Sequence, residues 1–240
     1  MKRFELISFP SDQALAKAAA GRWLDVIAAA QRAGKKLTVA LSGGRIARTF
    51  FEAAVSESIQ RNAAWTHVHF FWADERCVPP NDPENNFAIA QKLLFGPLAI
   101  ADGQIHRIQG ELDPSTASAQ AADKLLEWTQ TKPGGTPILD LVFLGMGEDG
   151  HVASLFPGDP VDVSASAPIY RPVKASKPPP MRISLGYPTI FAAREAYVLV
   201  SGPGKEPALK ESVRGVDSTP LAYVLNRRQG TLVLTSVKLP

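Results

Sequence analysis

Apolar positions along the 240-residue chain switch between helical spacing and short continuous runs. From Asp12 to about Ala33, alanines, leucines and a tryptophan recur with the period of an amphipathic helix, and Ser11 or Asp12 can cap it. Leu37–Leu41 is apolar apart from one threonine, the pattern of a buried strand. Ser42-Gly43-Gly44 breaks it, and a second helical pattern runs from about Ile46 to Ile59. His67–Trp72 reads as the next strand. An irregular stretch with three prolines, Asp74–Asn85, follows it. Helical spacing returns over about Asn86–Phe95 and over Ser115 to about Gln130. The turn Pro133-Gly134-Gly135 leads into a strand over Leu139–Leu144. Lys177-Pro178-Pro179-Pro180 predicts an extended surface segment. Arg182–Leu185, Ala196–Val200 and Thr231–Thr235 read as later strands. Such alternation predicts an α/β architecture with a mostly parallel sheet. No stretch is long enough to link two folding units, so one domain is expected over residues 1–240.

Composition narrows the class. Hydrophobic residues make up 45% and charged residues 20%, the balance of an ordinary globular protein that needs no staples. Cys77 is the single cysteine, so no disulfide framework can form. The opening MKRFELISFP carries a basic pair but no apolar core of signal-peptide length, and no apolar run reaches membrane-spanning length. A cytoplasmic protein is expected. The net charge of +3 suits a small anionic substrate, and no basic stripe interleaved with aromatics points to nucleic acid.

Three segments can carry chemistry. In Leu139–Phe156, LDLVFLGMGEDGHVASLF, a buried strand ends in Gly145, and two acids, a glycine and His151 follow. Ligands of open α/β sheets bind at such carboxyl ends. Gly145, Gly147 and Gly150 also spell a dinucleotide fingerprint, but Glu148 and Asp149 would stand where a pyrophosphate must approach. A neutral His151 can take a proton from water, and Asp149 can hold its ring in one tautomer. The alternative is a turn histidine bonded to backbone.

The second segment, Phe70–Arg76 or FFWADER, places Asp74, Glu75 and Arg76 just past a strand, as site residues or as a solvated loop. The third, Leu41–Ala47 or LSGGRIA, is a strand, a glycine turn and a helix start. Its helix amides can hold a phosphate, or it is a structural joint; the spacing of an ATP-binding P-loop is absent. His67 and His69 share a strand face without a third ligand, so a structural role and no metal are expected. Cys77 has no partner for nucleophilic work.

Gly145–Gly158, GMGEDGHVASLFPG, resembles the signature of 6-phosphogluconolactonases. The order of the other motifs is similar to that family too: the SGG loop, Asp74-Glu75-Arg76 before Val78-Pro79, Asn86, the Arg182-Ile183-Ser184-Leu185 strand, and Gly202-Pro203-Gly204-Lys205. The resemblance implies a Rossmann-like sheet flanked by helices, of the ribose-5-phosphate isomerase and glucosamine-6-phosphate deaminase type. It implies hydrolysis of 6-phospho-D-glucono-1,5-lactone in the oxidative pentose phosphate pathway, with no cofactor. Carried over by position, His151 would activate water and Asp149 would orient it. Asp74 and Arg76 would line the lactone side. Ser42, Gly43, Gly44, Arg182 and Lys205 would hold the phosphate. Arg45 stands where the family usually has serine and is a further candidate phosphate ligand. The sugar-phosphate lactone is the expected partner of a monomer, without nucleic acid or membrane. The weighed alternatives are an amino-sugar phosphate deaminase and a non-catalytic sugar-phosphate binding module.

Overall fold

The computed structural model describes residues 4–164, 167–215 and 217–238, so the basic pair Lys2-Arg3 and the last two residues lie outside it. In chain order, β1 (Phe4–Ser8) precedes α1 (Asp12–Arg32), β2 (Leu37–Leu41), α2 (Arg45–Arg61), β3 (Val68–Trp72) and the short β4 (Asp74–Arg76). Next come α3 (Asn86–Ala90), continued by a π-turn over Gln91–Phe95, α4 (Pro114–Trp128), β5 (Gln130–Thr131), β6 (Pro137–Ile138) and β7 (Leu141–Gly145). The remainder holds β8 (Tyr170–Lys174), β9 (Met181–Leu185), α5 (Tyr187–Ala192), β10 (Glu195–Val200), α6 (Glu206–Val213), α7 (Pro220–Arg227) and β11 (Thr231–Thr235).

Six strands form one parallel sheet in the order β1-β11-β10-β7-β2-β3. Parallel strands are covered on both faces, which is why β2, β3 and β11 are buried along their whole length. Trp23 of α1 anchors one face, with its ring 4.9 Å from Trp65, 5.1 Å from Phe143 and 5.4 Å from Phe50. Ser11 caps α1 by accepting the Ala14 N–H at 3.1 Å.

From β2 the chain steps outward to β3, then returns to β7 on the other side of β2. The loops after β2 and β7 therefore part in opposite directions and leave a crevice at the carboxyl ends.

The Asp74–Asn85 stretch is not irregular throughout. Its first three residues form β4, the edge of a separate antiparallel sheet in the order β4-β9-β8. Ala73 makes the transition, donating its N–H to Leu41 at 2.7 Å and accepting from Leu185 at 2.8 Å. Residues distant in sequence hold that strand, so no local pattern signals it. The Lys177–Pro180 segment is at the surface as expected, yet it is bent rather than extended: Ala175 N–H meets Pro180 O at 2.7 Å and closes the β8–β9 hairpin. β1, β8 and α5–α7 are elements for which the hydrophobic pattern gave no assignment.

Candidate active site

The loop after β2 forms one wall. Ser42 Oγ donates to Phe143 O at 2.9 Å and ties the loop to β7. Gly44 precedes α2 with φ of 93°, a conformation that suits glycine. No side chain caps α2, so its first amides are left for an external acceptor.

The loop after β7 is a tight turn, in which Gly147 N–H donates to His151 O at 2.9 Å and Gly150 N–H to Gly147 O at 3.1 Å. No helix follows it, so the glycine triplet does not open a dinucleotide-binding helix. His151 Nδ1 lies 2.6 Å from Asp149 Oδ1, and its ring packs 4.6 Å from Phe156. A carboxylate can only accept, so Nδ1 carries a hydrogen, and the neutral form of the ring has its lone pair on Nε2. The imidazole hydrogen bond holds the Asp149 carboxyl down at about 2. The ring thus bonds a carboxylate rather than backbone.

The small sheet supplies the third wall. Asp74 is buried, and its Oδ2 accepts from Ser154 Oγ at 2.8 Å. Ser154 N–H donates in turn to Ser184 Oγ at 3.2 Å. Arg76 stands directly opposite Arg182 across the β4–β9 ladder, two residues along from the Asp74–Ser184 pair. Like charges placed so repel, and an anion between them would relieve the repulsion. Arg76 Nη1 donates to Glu84 O at 2.6 Å, while its buried Nε has no partner among the described residues. Arg182 Nε donates to Pro179 O at 3.2 Å, and the guanidinium lies 5.6 Å from the Phe156 ring centroid. Burial first, then the charge of Arg76, lowers the Arg182 pKa. Burial and then Arg45 do the same to the half-buried ammonium of Lys205, against the opposing pull of Glu148. Arg45 itself is exposed, with its guanidinium beside Gly202.

One cleft is lined by Ser42, Gly43, Gly44, Arg45, Asp74, Arg76, His151, Arg182 and Lys205. Of the ten residues to which the family resemblance assigns catalytic or phosphate-binding roles, nine line it, and Asp149 stands behind the His151 ring. Ser154, which the sequence does not single out, and Glu75, which it leaves between site and solvated loop, also touch this group. Ser154 sits inside the Gly145–Gly158 segment, but its bond to Asp74 spans 80 residues and leaves no local mark. Glu75 is fully buried and accepts the amides of Arg76, Asn86 and Phe87; burial pushes its carboxyl up to about 7 against these bonds.

The other three histidines lie elsewhere. His67 Nε2 meets Ile27 O at 3.0 Å, and His69 Nδ1 meets His106 Nε2 at 3.2 Å. Burial pushes the Cys77 thiol up to about 11, which removes its nucleophilic form at neutral pH. Among the described residues no group of three or more His, Cys, Asp or Glu side chains could hold a metal, and no helix is long and apolar enough to cross a membrane.

A family model described as glucosamine-6-phosphate isomerases/6-phosphogluconolactonase matches residues 10–234. The 6-phosphogluconolactonase of Mycobacterium tuberculosis is 35% identical over 247 aligned residues, covering 97% of each chain. A 6-phosphogluconolactonase structure from Trypanosoma cruzi superposes with a TM-score of 0.84 at 22% identity, over 98% of this chain and 94% of that one. A monomeric glucosamine-6-phosphate deaminase superposes with a TM-score of 0.81 at 16% identity, over 96% of both. The shared backbone therefore does not separate lactone hydrolysis from deamination, and the side chains in the cleft must do so.

Proposed function

The chain belongs to the 6-phosphogluconolactonase family, and from that premise we propose that it opens 6-phospho-D-glucono-1,5-lactone with water to give 6-phospho-D-gluconate, the hydrolytic step of the oxidative pentose phosphate pathway. It acts in the cytoplasm, as a monomer of one domain. The open α2 N-terminus, Lys205, Arg45 and Arg182 hold the phosphate, each supplying N–H donors or positive charge. The lactone carbonyl then faces Asp74, Arg76 and His151.

His151 Nε2 takes a proton from water as the oxygen attacks the lactone carbon. Asp149 keeps the imidazole in the required tautomer and stabilises the imidazolium. Arg76 faces the negative charge that develops on the carbonyl oxygen. As the ring C–O bond breaks, the imidazolium returns the proton to the departing oxygen. A lactone is an activated ester, so a general base and charge stabilisation suffice without a covalent intermediate or cofactor. Asp74, fixed by Ser154, presents its other oxygen to the sugar or to the attacking water.

The observation that carries this reading is the 2.6 Å His151–Asp149 pair set in a cleft shared with Asp74, Arg76 and the uncapped helix. The test is acid release from freshly prepared phospholactone. His151→Ala should lose roughly a hundredfold or more in kcat. Unchanged turnover would remove His151 from the mechanism, and ammonia release from glucosamine 6-phosphate would select the deaminase chemistry instead.

A further inference from the structure

Behind the cleft, one carboxamide stands between the two halves of the site. Asn86 is 2% exposed, and its Nδ2 donates to Asp74 O at 2.9 Å. On its other side it presses on Gly43, where an added Cβ would overlap the carboxamide. Gly43 is therefore required by close approach, not by backbone conformation. The Asn86 backbone N–H donates to Glu75 Oε1 at 2.8 Å, and that of Phe87 to Glu75 Oε2 at 2.9 Å. Glu75 Oε1 also accepts the Arg76 N–H at 2.7 Å. The glutamate thus ties β4 to the segment carrying Asn86, and Asn86 wedges β4 apart from the loop after β2. Its Oδ1 is buried with no donor among the described residues. An apolar side chain would fill the space without stranding an acceptor, but would not hold the Asp74 carbonyl.

We propose that Asn86 is a positioning residue that sets the spacing between the loop at Gly43 and the strand carrying Asp74 and Arg76, so that one sugar phosphate engages both. The substrate named here rests on the lactonase reading; the spacing argument does not. A ligand bound at one end meets the second half-site intramolecularly, and that advantage vanishes when the spacing is wrong. Displacement of a reacting group by about 1 Å costs on the order of a hundredfold in rate.

The test compares wild type, Asn86→Ala, Gly43→Ala and the double variant. Inorganic phosphate reports on one half-site, 6-phosphogluconate on both together, and phospholactone turnover on the chemistry. Asn86→Ala should keep the Kd for inorganic phosphate within about twofold, weaken 6-phosphogluconate about tenfold, and lower kcat/KM on the order of a hundredfold. Gly43→Ala, whose methyl displaces the same wedge but lies within the phosphate loop, is read by turnover alone and should lower kcat/KM at least as far. The double variant should be no worse than the worse single one, since both act on one contact. Equal loss of both ligands in Asn86→Ala, additive losses of kcat/KM in the double variant, or kcat/KM within twofold of wild type would each overturn the proposal. If Asn86→Ala does not fold, Asn86→Ser decides by the same split. If wild type fails to open the lactone, the proposed activity falls while the ratio of the two binding constants still tests Asn86.

Discussion

At the scale of the residue, the site is built from groups whose partners decide what they can do. Asp149 is half-exposed, yet its 2.6 Å bond to His151 keeps it ionised down to about pH 2, so the imidazole keeps its orienting carboxylate throughout any working range. Glu75 is the opposite case. Its carboxyl has no exposure, and burial raises it from an ordinary 4.5 to about 7 despite three amide donors. The sign follows from linkage. Between about 4.5 and 7 the folded chain binds a proton there that the unfolded chain has lost. Stability from this group is full below 4.5 and lost as pH rises through about 7. Glu75→Gln should therefore lower Tm at pH 5, where an acceptor is lost, while flattening the decline between pH 4.5 and 7. A series of melting curves checks this, and a decline that persists in the variant assigns it to another group.

At the scale of the element, the ends of helices and strands matter more than their middles. α2 begins without a side-chain cap, and that omission leaves donors at the cleft. α5 ends the other way. Arg228, 3% exposed and following α7, donates to Ile190 O at 2.9 Å, Ala193 O at 2.7 Å and Arg194 O at 3.2 Å, with Nε on Thr231 Oγ1 at 3.0 Å. It satisfies carbonyls that the short helix leaves open, and burial brings its pKa down only to about 10, so it stays charged. Arg228→Ala strands several buried acceptors and should cost on the order of 3 kcal/mol in denaturant unfolding. Because Arg228 does not line the cleft, the variant that remains folded should keep its KM.

At the scale of the whole molecule, a chain with a net charge of +3 collects Arg45, Arg76, Arg182 and Lys205 at one crevice between β2 and β7. Among the described residues one carboxylate, Asp74, lines the cleft with them. The field there is positive and partly shielded from water, so it draws in an anion. Salt screens that attraction over about 10 Å at 0.1 M. KM for the phosphorylated substrate should thus rise roughly several-fold between 0.05 and 0.5 M salt, while kcat moves less than about twofold. A KM insensitive to salt would show that these cations do not meet the phosphate.

The sequence by itself determined the alternation of helices and buried strands, because burial on both faces of a parallel sheet leaves short, mostly apolar runs such as Leu37–Leu41 and, within His67–Trp72, Val68–Trp72. It also placed His151 two residues from Asp149 and glycines where the turns need them, since these are local facts. What it left open was decided by contacts between distant residues. β4 exists only because Ala73 is shared between Leu41 and Leu185, and the Arg76–Arg182 pair exists only through that strand's register. The bonds of Ser154 to Asp74 and of Asn86 to Asp74 depend on packing across the site in the same way. Hydrophobic period reports which face of an element is covered. The tertiary structure alone decides what covers it, because that depends on where the rest of the chain returns.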